Sequence, residues 1–166
     1  NGSQIWRSKT GGGVTAKPVV VGNKIMVGSF DSNLYALDRD TGSTVWKFTA
    51  AERWYWGGAV ATEEIVYAPS LDGVLYAIGI ADGIERWRLK TDGPIIGMPA
   101  IIADRIAIPS RDGGIYLVSL GSGEFEDQCS IGSKLKASLV SATDAIYFSD
   151  TDRSVRELIV KPNGNL

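Results

Sequence analysis

The stretch Gly28-Ser29-Phe30-Asp31-Ser32-Asn33-Leu34-Tyr35-Ala36-Leu37-Asp38-Arg39-Asp40-Thr41-Gly42-Ser43-Thr44-Val45-Trp46-Lys47 reads as strand, tight turn, strand, tight turn, strand. Small and turn-forming residues fill positions 29–33, apolar residues alternate with others over 34–37, and Asp40-Thr41-Gly42 turns the chain again before Val45 and Trp46. The pattern is repeated. Its turn glycine and following aromatic recur as Gly2 with Trp6, Gly42 with Trp46 and Gly83 with Trp87, and a further copy at Gly123 carries Asp127 in place of the tryptophan. Those steps are 40, 41 and 40 residues. The acidic turn residue keeps the same period at Asp31, Asp72, Asp112 and Asp152, as does a strand tyrosine at Tyr35, Tyr76 and Tyr116, with Arg156 in the last slot. Independent landmarks sharing one period identify a true internal repeat.

Each unit divides into four short strands. The first predicts strands over 18–21, 24–27, 34–38 and 44–48, and the second over 59–62, 64–68, 74–78 and 85–89. The third predicts 99–102, 105–108, 115–119 and 124–128, and the fourth 138–141, 145–148 and 154–160, with no fourth strand. Gln4-Ile5-Trp6-Arg7 is the converse, a fourth strand with no first three before it, and Asn163-Gly164-Asn165-Leu166 matches Asn1-Gly2-Ser3-Gln4 as the same turn one circuit later. Four-stranded units of this length build β-propeller blades. The expectation is an all-β propeller of four four-stranded antiparallel blades in one domain, 1–166, with repeats at 17–48, 58–89, 98–128 and 137–160. Residues 4–8 are expected to complete the last blade, which would hide two sheet edges.

Composition narrows the function classes. The 166 residues carry a net charge of −2, giving no electrostatic case for nucleic acid or an anionic membrane, and no apolar run is long enough to span a bilayer. Histidine is absent, which removes the commonest general base and metal ligand together, and the single Cys129 precludes an intrachain disulfide. Neither a Ser-His-Asp nor a Cys/His metal arrangement can be assembled. Asp38-Arg39-Asp40-Thr41-Gly42 and Asp150-Thr151-Asp152 have alternating carboxylates but lack the length and the later Glu of a calcium loop, so these aspartates are read as binding their own turn N–H groups. Gly11-Gly12-Gly13 has no Lys-Ser/Thr after it and is no phosphate loop. No cofactor or metal is expected.

At Leu34-Tyr35-Ala36-Leu37-Asp38, Thr41-Gly42 and Trp46 the chain resembles the PQQ-like, quinoprotein-type β-propeller repeat family. The second unit keeps Leu75-Tyr76-Ala77, Asp82-Gly83 and Trp87, while the third keeps Ile115-Tyr116-Leu117 and Gly123 with only Phe125 as a nearby aromatic. The family includes PQQ-dependent dehydrogenases and non-enzymatic BamB-like propellers, and the likeness in kind is to the latter. The resemblance implies that Trp6, Trp46 and Trp87 dock between blades, each on the next blade's turn, with Tyr35, Tyr76 and Tyr116 in similar structural roles. A flat indole buries much apolar area and its N–H can reach a turn carbonyl. The family's dehydrogenases also imply a cofactor funnel and, in many members, a vicinal disulfide, which one cysteine cannot make; nothing here matches their catalytic residues.

One segment breaks the repeat. Connections between a fourth and a following first strand share a propeller face with those between second and third strands, which carry Phe30, Leu71, Arg111 and Asp150. Among them Glu52-Arg53-Trp54-Tyr55-Trp56-Gly57-Gly58 places three adjacent aromatics beside an arginine. Consecutive residues cannot all face one core, so at least one serves the fold, as a channel plug or junction cover. Aromatics with arginine are also typical interface anchors. Arg53, Trp54, Tyr55, Trp56 and Arg111 are therefore the candidate partner-binding residues, with no catalytic residue. The expected function is a non-catalytic interaction or sensor module for a protein or peptide. A fragment of a PQQ-dependent dehydrogenase and a carbohydrate-binding propeller are the alternatives. The four blades could close alone, pair as a homodimer or belong to a longer chain. The first residue, Asn1, is not Met; with the family precedent this favours an extracytoplasmic, trimmed or mature polypeptide.

Overall fold

The computed structural model describes residues 2–161 and Leu166, and among them the chain forms strands and turns but no helix. Sheet 1 contains β1 (Val19–Val21), β2 (Lys24–Gly28), β3 (Leu34–Asp38) and β4 (Thr44–Phe48). Sheet 2 contains β5 (Val60–Ala61), β6 (Ile65–Pro69), β7 (Val74–Gly79) and β8 (Glu85–Lys90). Sheet 3 contains β9 (Ala100–Ile102), β10 (Arg105–Pro109), β11 (Gly114–Ser119) and β12 (Phe125–Ser130). Sheet 4 contains β13 (Val140–Ala142), β14 (Ala145–Ser149) and β15 (Val155–Ile159). Every sheet is an antiparallel meander, and this succession of sheets is the blade architecture of a β-propeller.

The third strands explain the packing. LYALD, VLYAIG and GIYLVS are almost wholly buried, because each sheet has one face toward the preceding sheet and a forward face toward the next. Met26, Leu34 and Ala36 meet Val66, Ala68, Tyr76 and Ile78 between sheets 1 and 2. Tyr67, Leu75 and Ala77 meet Ile106, Ile108 and Val118 between sheets 2 and 3, and Ala107, Ile115 and Leu117 meet Ile146, Phe148 and Leu158 between sheets 3 and 4. The fourth strands are outermost and alternate in exposure. Each of β4, β8 and β12 carries a register shift opposite the middle of the third strand, a repeated bulge that strengthens local twist next to the tryptophan position.

Three tryptophans stand over turn glycines of the following unit. Trp46 lies on Gly83, and its Nε1–H donates to the carbonyl of Ile80 at 2.9 Å. Trp6 lies on Gly42 with Nε1–H donating to Arg39 at 2.8 Å. Trp87 lies on Gly123, but its N–H has no acceptor among the described residues, and the equivalent carbonyl, of Leu120, accepts from the Tyr67 hydroxyl at 3.0 Å. Asp127, in the fourth tryptophan slot, accepts the N–H of Leu166 at 2.9 Å instead of stacking.

Closure differs from the sequence expectation. Residues 4–8 form no strand, and sheet 4 has three strands rather than four among the described residues. The Trp6 indole bond to Arg39 and a 2.8 Å bond from the Gly11 N–H to Asp31 tie the N-terminal segment to sheet 1, so it does not reach the edge of β15. The matching of Asn163-Gly164-Asn165-Leu166 with the N-terminus falls largely outside the described residues.

Candidate functional site

The connection between β4 and β5 follows the same period as those after β8 and β12. Tyr55, Ile95 and Leu135 occupy equivalent positions at 40-residue steps and all three are buried. Tyr55 is only 1% exposed and packs with Met26, Leu34 and Tyr76, so it corrects the expectation of a contact residue: it is the aromatic that serves the fold. Gly28 makes this possible, since a side chain there would overlap the Tyr55 Cβ. The Tyr55 hydroxyl has no hydrogen-bond partner among the described residues, and burial pushes its pKa well above the ordinary phenol value.

With Tyr55 turned inward, extended backbone sends its neighbours outward. Trp54 and Trp56 are 49% and 47% exposed. Phe30, from the β2–β3 loop, stacks on both, with ring centroids 5.1 Å from Trp54 and 5.4 Å from Trp56 and interplanar angles of 20° and 15°. Phe30 is itself held by a 2.9 Å bond from its N–H to the carbonyl of Gly13, where the absence of side chains at Gly12 and Gly13 lets the N-terminal segment approach. The result is a flat, part-exposed aromatic ridge.

Beside the ridge, Arg53, Trp56, Leu71, Pro94, Ile96 and Arg111 line a shallow depression of 300 Å³. A second one, also 300 Å³, lies between Glu52, Arg53, Trp54 and Leu71. Arg53, Trp54, Trp56 and Arg111 thus share one loop face, as read from the sequence. Phe30 and Leu71 belong to the same site; their loop assignment was the available signal. Pro94 and Ile96 were also legible, because the 40-residue step aligns them with Trp54 and Trp56. A larger depression of 510 Å³ on the opposite face is walled by Lys24, Glu63, Glu64 and Arg86, a mixture of signs that favours no single ligand charge.

A repeated carboxylate holds this face together. Asp31, Asp72 and Asp112 accept the tyrosine hydroxyls of Tyr35, Tyr76 and Tyr116 at 2.5, 2.9 and 2.6 Å, and their other oxygens accept turn N–H groups. Asp31 and Asp72 also accept N–H groups of Gly11 and Glu52 in the preceding connection. In the last unit Arg156 replaces the tyrosine and pairs with the buried Asp150 at 2.5 Å. Burial and the Asp112 carboxylate push the Tyr116 hydroxyl up to about 12.

For Asp31, burial acts upward, but hydrogen bonds from Tyr35 and Asn33 outweigh it and hold the carboxyl below its ordinary 3.8. A depressed folded pKa stabilises fully above the unfolded value and is lost as pH falls through the folded one. Asp31→Asn is therefore expected to shrink the fall in urea midpoint between about pH 6 and about pH 3. An unchanged fall would contradict this assignment.

The fold and face define a PQQ-like repeat propeller with an aromatic loop face. The family model described as outer membrane protein assembly factor BamB matches residues 1–51 and 30–151, and the chain belongs to this BamB-type family of PQQ-like repeats. BamB of Xanthomonas campestris is 29% identical over 96 residues, covering 52% of this chain and 24% of that protein. BamB of Yersinia pestis is 25% identical over 146 residues, covering 85% of this chain and 35% of that protein. The chain thus spans about a quarter to a third of the length of these curated relatives. Among solved structures, BamB from Moraxella catarrhalis superposes with a TM-score of 0.78 at 19% identity over 93% of this chain and 48% of that one. The computationally designed protein Ika4 superposes with 0.84 at 16% identity over 97% of this chain and all of its own, 100%. These likenesses at low identity establish the fold.

Proposed function

We propose that the chain is a non-catalytic interaction module that binds a protein or peptide segment on the Phe30–Trp54–Trp56 face, on the extracytoplasmic side of the cell. The exposed, double-stacked aromatic ridge carries the reading. A monomeric surface gains nothing from leaving two indoles half-exposed, whereas an apolar partner side chain covering them gains both area and stacking. Arg53 and Arg111 flank the adjoining depression and supply forked donors for carboxylates or backbone carbonyls of an extended segment. The relatives' description as outer membrane protein assembly factors supports a polypeptide partner and an extracytoplasmic setting.

A suitable probe is a synthetic extended peptide alternating aromatic with acidic residues, titrated by calorimetry. Saturable binding is expected, weakened at least about thirtyfold in Trp54→Ala/Trp56→Ala, the loss that ~2 kcal/mol at a hot spot produces. Both side chains are outside the core, so the fold should be unaltered by circular dichroism. Absence of binding, or equal binding by the double variant, overturns the reading. Binding of a glycan panel in place of the peptide, lost in Trp56→Ala, would assign the ridge to carbohydrate.

A further inference from the structure

Each connection that follows a fourth strand has two side chains flanking its buried residue, and the loop between second and third strands adds one more beside them. After sheet 1 these positions hold Phe30, Trp54 and Trp56, the stacked ridge. One period on they hold Leu71, Pro94 and Ile96, all part-exposed. A further period on they hold Arg111, Lys134 and Lys136. Aromatic residues give way to aliphatic ones and then to cations.

The backbone makes these positions equivalent in space as well as in sequence. Each loop residue donates its N–H to the connection before it: Phe30 to Gly13 at 2.9 Å, Leu71 to Trp54 at 2.9 Å and Arg111 to Pro94 at 3.0 Å. Phe30 thereby lies between Gly13 and the Trp54–Trp56 pair, and Arg111 takes the corresponding place between Pro94 and the Lys134–Lys136 pair. Leu135 is buried as Tyr55 and Ile95 are, which leaves Lys134 and Lys136 exposed. The connections also abut in order. Gly57 lies against the Ile96 carbonyl and Gly97 against that of Ala137, and the Leu139 N–H donates to the Met98 carbonyl at 2.9 Å. One depression already joins Trp56, Leu71 and Ile96 to Arg111. The face is a continuous track.

Its charge collects at one end. Among the described residues, Arg111, Lys134 and Lys136 meet no carboxylate within ion-pair distance. Asp112 is engaged by the Tyr116 hydroxyl and the Gly114 N–H, and Asp150 by Arg156. Glu52 and Asp92 open the first two connections, but the third has Gly132 at that position. We propose that the track holds one extended polypeptide segment with an apolar half and an acidic half. Its apolar residues cover the aromatic ridge and the Leu71–Pro94–Ile96 step, and its carboxylates fall on Arg111, Lys134 and Lys136. This rests on the reading of the face as a polypeptide site and adds the spatial order of the partner's chemistry. Sheets stack ~10 Å apart, so two steps span about 20 Å, the reach of about six extended residues. Glu52 and Asp92, exposed on the same face, would repel an anionic bilayer.

The test compares two peptides of the same composition by calorimetry. One alternates aromatic and acidic residues; the other, made in both chain directions, sets the centres of an aromatic block and a glutamate block about six residues apart. The block peptide, in its better direction, should bind at least about tenfold tighter than the alternating one. Lys134→Glu/Lys136→Glu should weaken it about tenfold or more, because attractions are lost and repulsions added. Trp54→Ala/Trp56→Ala should weaken both peptides, and raising NaCl from about 0.05 to about 0.5 M should remove most of the block peptide's advantage. Equal affinities, with alternating-peptide binding still lost in the tryptophan double variant, overturn the ordered track and leave the polypeptide site standing. Block-peptide binding indifferent both to the glutamate pair and to Lys134→Ala/Lys136→Ala also overturns it. Binding of neither peptide overturns both readings; capture instead by vesicles of equal parts phosphatidylglycerol and phosphatidylcholine, lost in the glutamate pair, assigns the face to a membrane surface.

Discussion

Trp46→Ala is expected to lower the unfolding free energy by about 3 kcal/mol, the lower end of the range for truncating a large core aromatic, because the indole is partly buried. The indole bridges sheets 1 and 2 against a core that includes Leu34, Tyr76 and Ile78. It lies on Gly83 and donates to the Ile80 carbonyl at 2.9 Å, so its removal leaves a gap between sheets and takes away that carbonyl's donor. Trp87 tests the second part. Its N–H has no acceptor among the described residues, and the corresponding Leu120 carbonyl is held by Tyr67. Trp87→Ala should therefore cost less than Trp46→Ala, by about 1 kcal/mol, the net value of one hydrogen bond. Urea unfolding followed by circular dichroism measures both; a Trp46→Ala variant as stable as the parent would contradict the docking account.

Gly83→Ala is expected to cost about 2–5 kcal/mol from two sources. Gly83 has φ of +72°, where a Cβ adds about 1–2 kcal/mol. A methyl group there would also come within 2.8 Å of the Trp46 ring, and overpacking adds about 1–3 kcal/mol. Because glycine and indole share one contact, the double variant Gly83→Ala/Trp46→Ala should lose less than the sum of the single losses. Strict additivity would mean that the ring does not rest on this turn. The same geometry at Gly42 and Gly123 makes the glycine a requirement of the junction rather than of the turn alone.

Local features of this fold are legible in the sequence, and contacts between distant segments are not. The strands were legible almost residue by residue: 34–38 and 44–48 were expected and are found, because alternation and turn residues are local signals. Tryptophan docking was legible through its family pattern. Closure was not, because whether residues 4–8 pair with β15 depends on contacts between the two ends of the chain, which no local pattern encodes. Tyr55 reads as a contact residue in the sequence because it stands between two other aromatics, and the structure buries it. The 40-residue step that aligns it with the buried Ile95 and Leu135 held the correct answer. The stacking of Phe30 between Trp54 and Trp56 joins two loops far apart in sequence and needed coordinates.

The central claim is that the repeat supplies scaffold while the segment that breaks it binds. The chain's five tryptophans separate the two roles. Fluorine NMR of the 5-fluorotryptophan-labelled chain, titrated with the aromatic–acidic peptide, is the most direct measurement. The account predicts that the Trp54 and Trp56 resonances shift and saturate together while those of Trp46 and Trp87 stay in place. Shifts at Trp46 or Trp87 without any at Trp54 and Trp56 would contradict it.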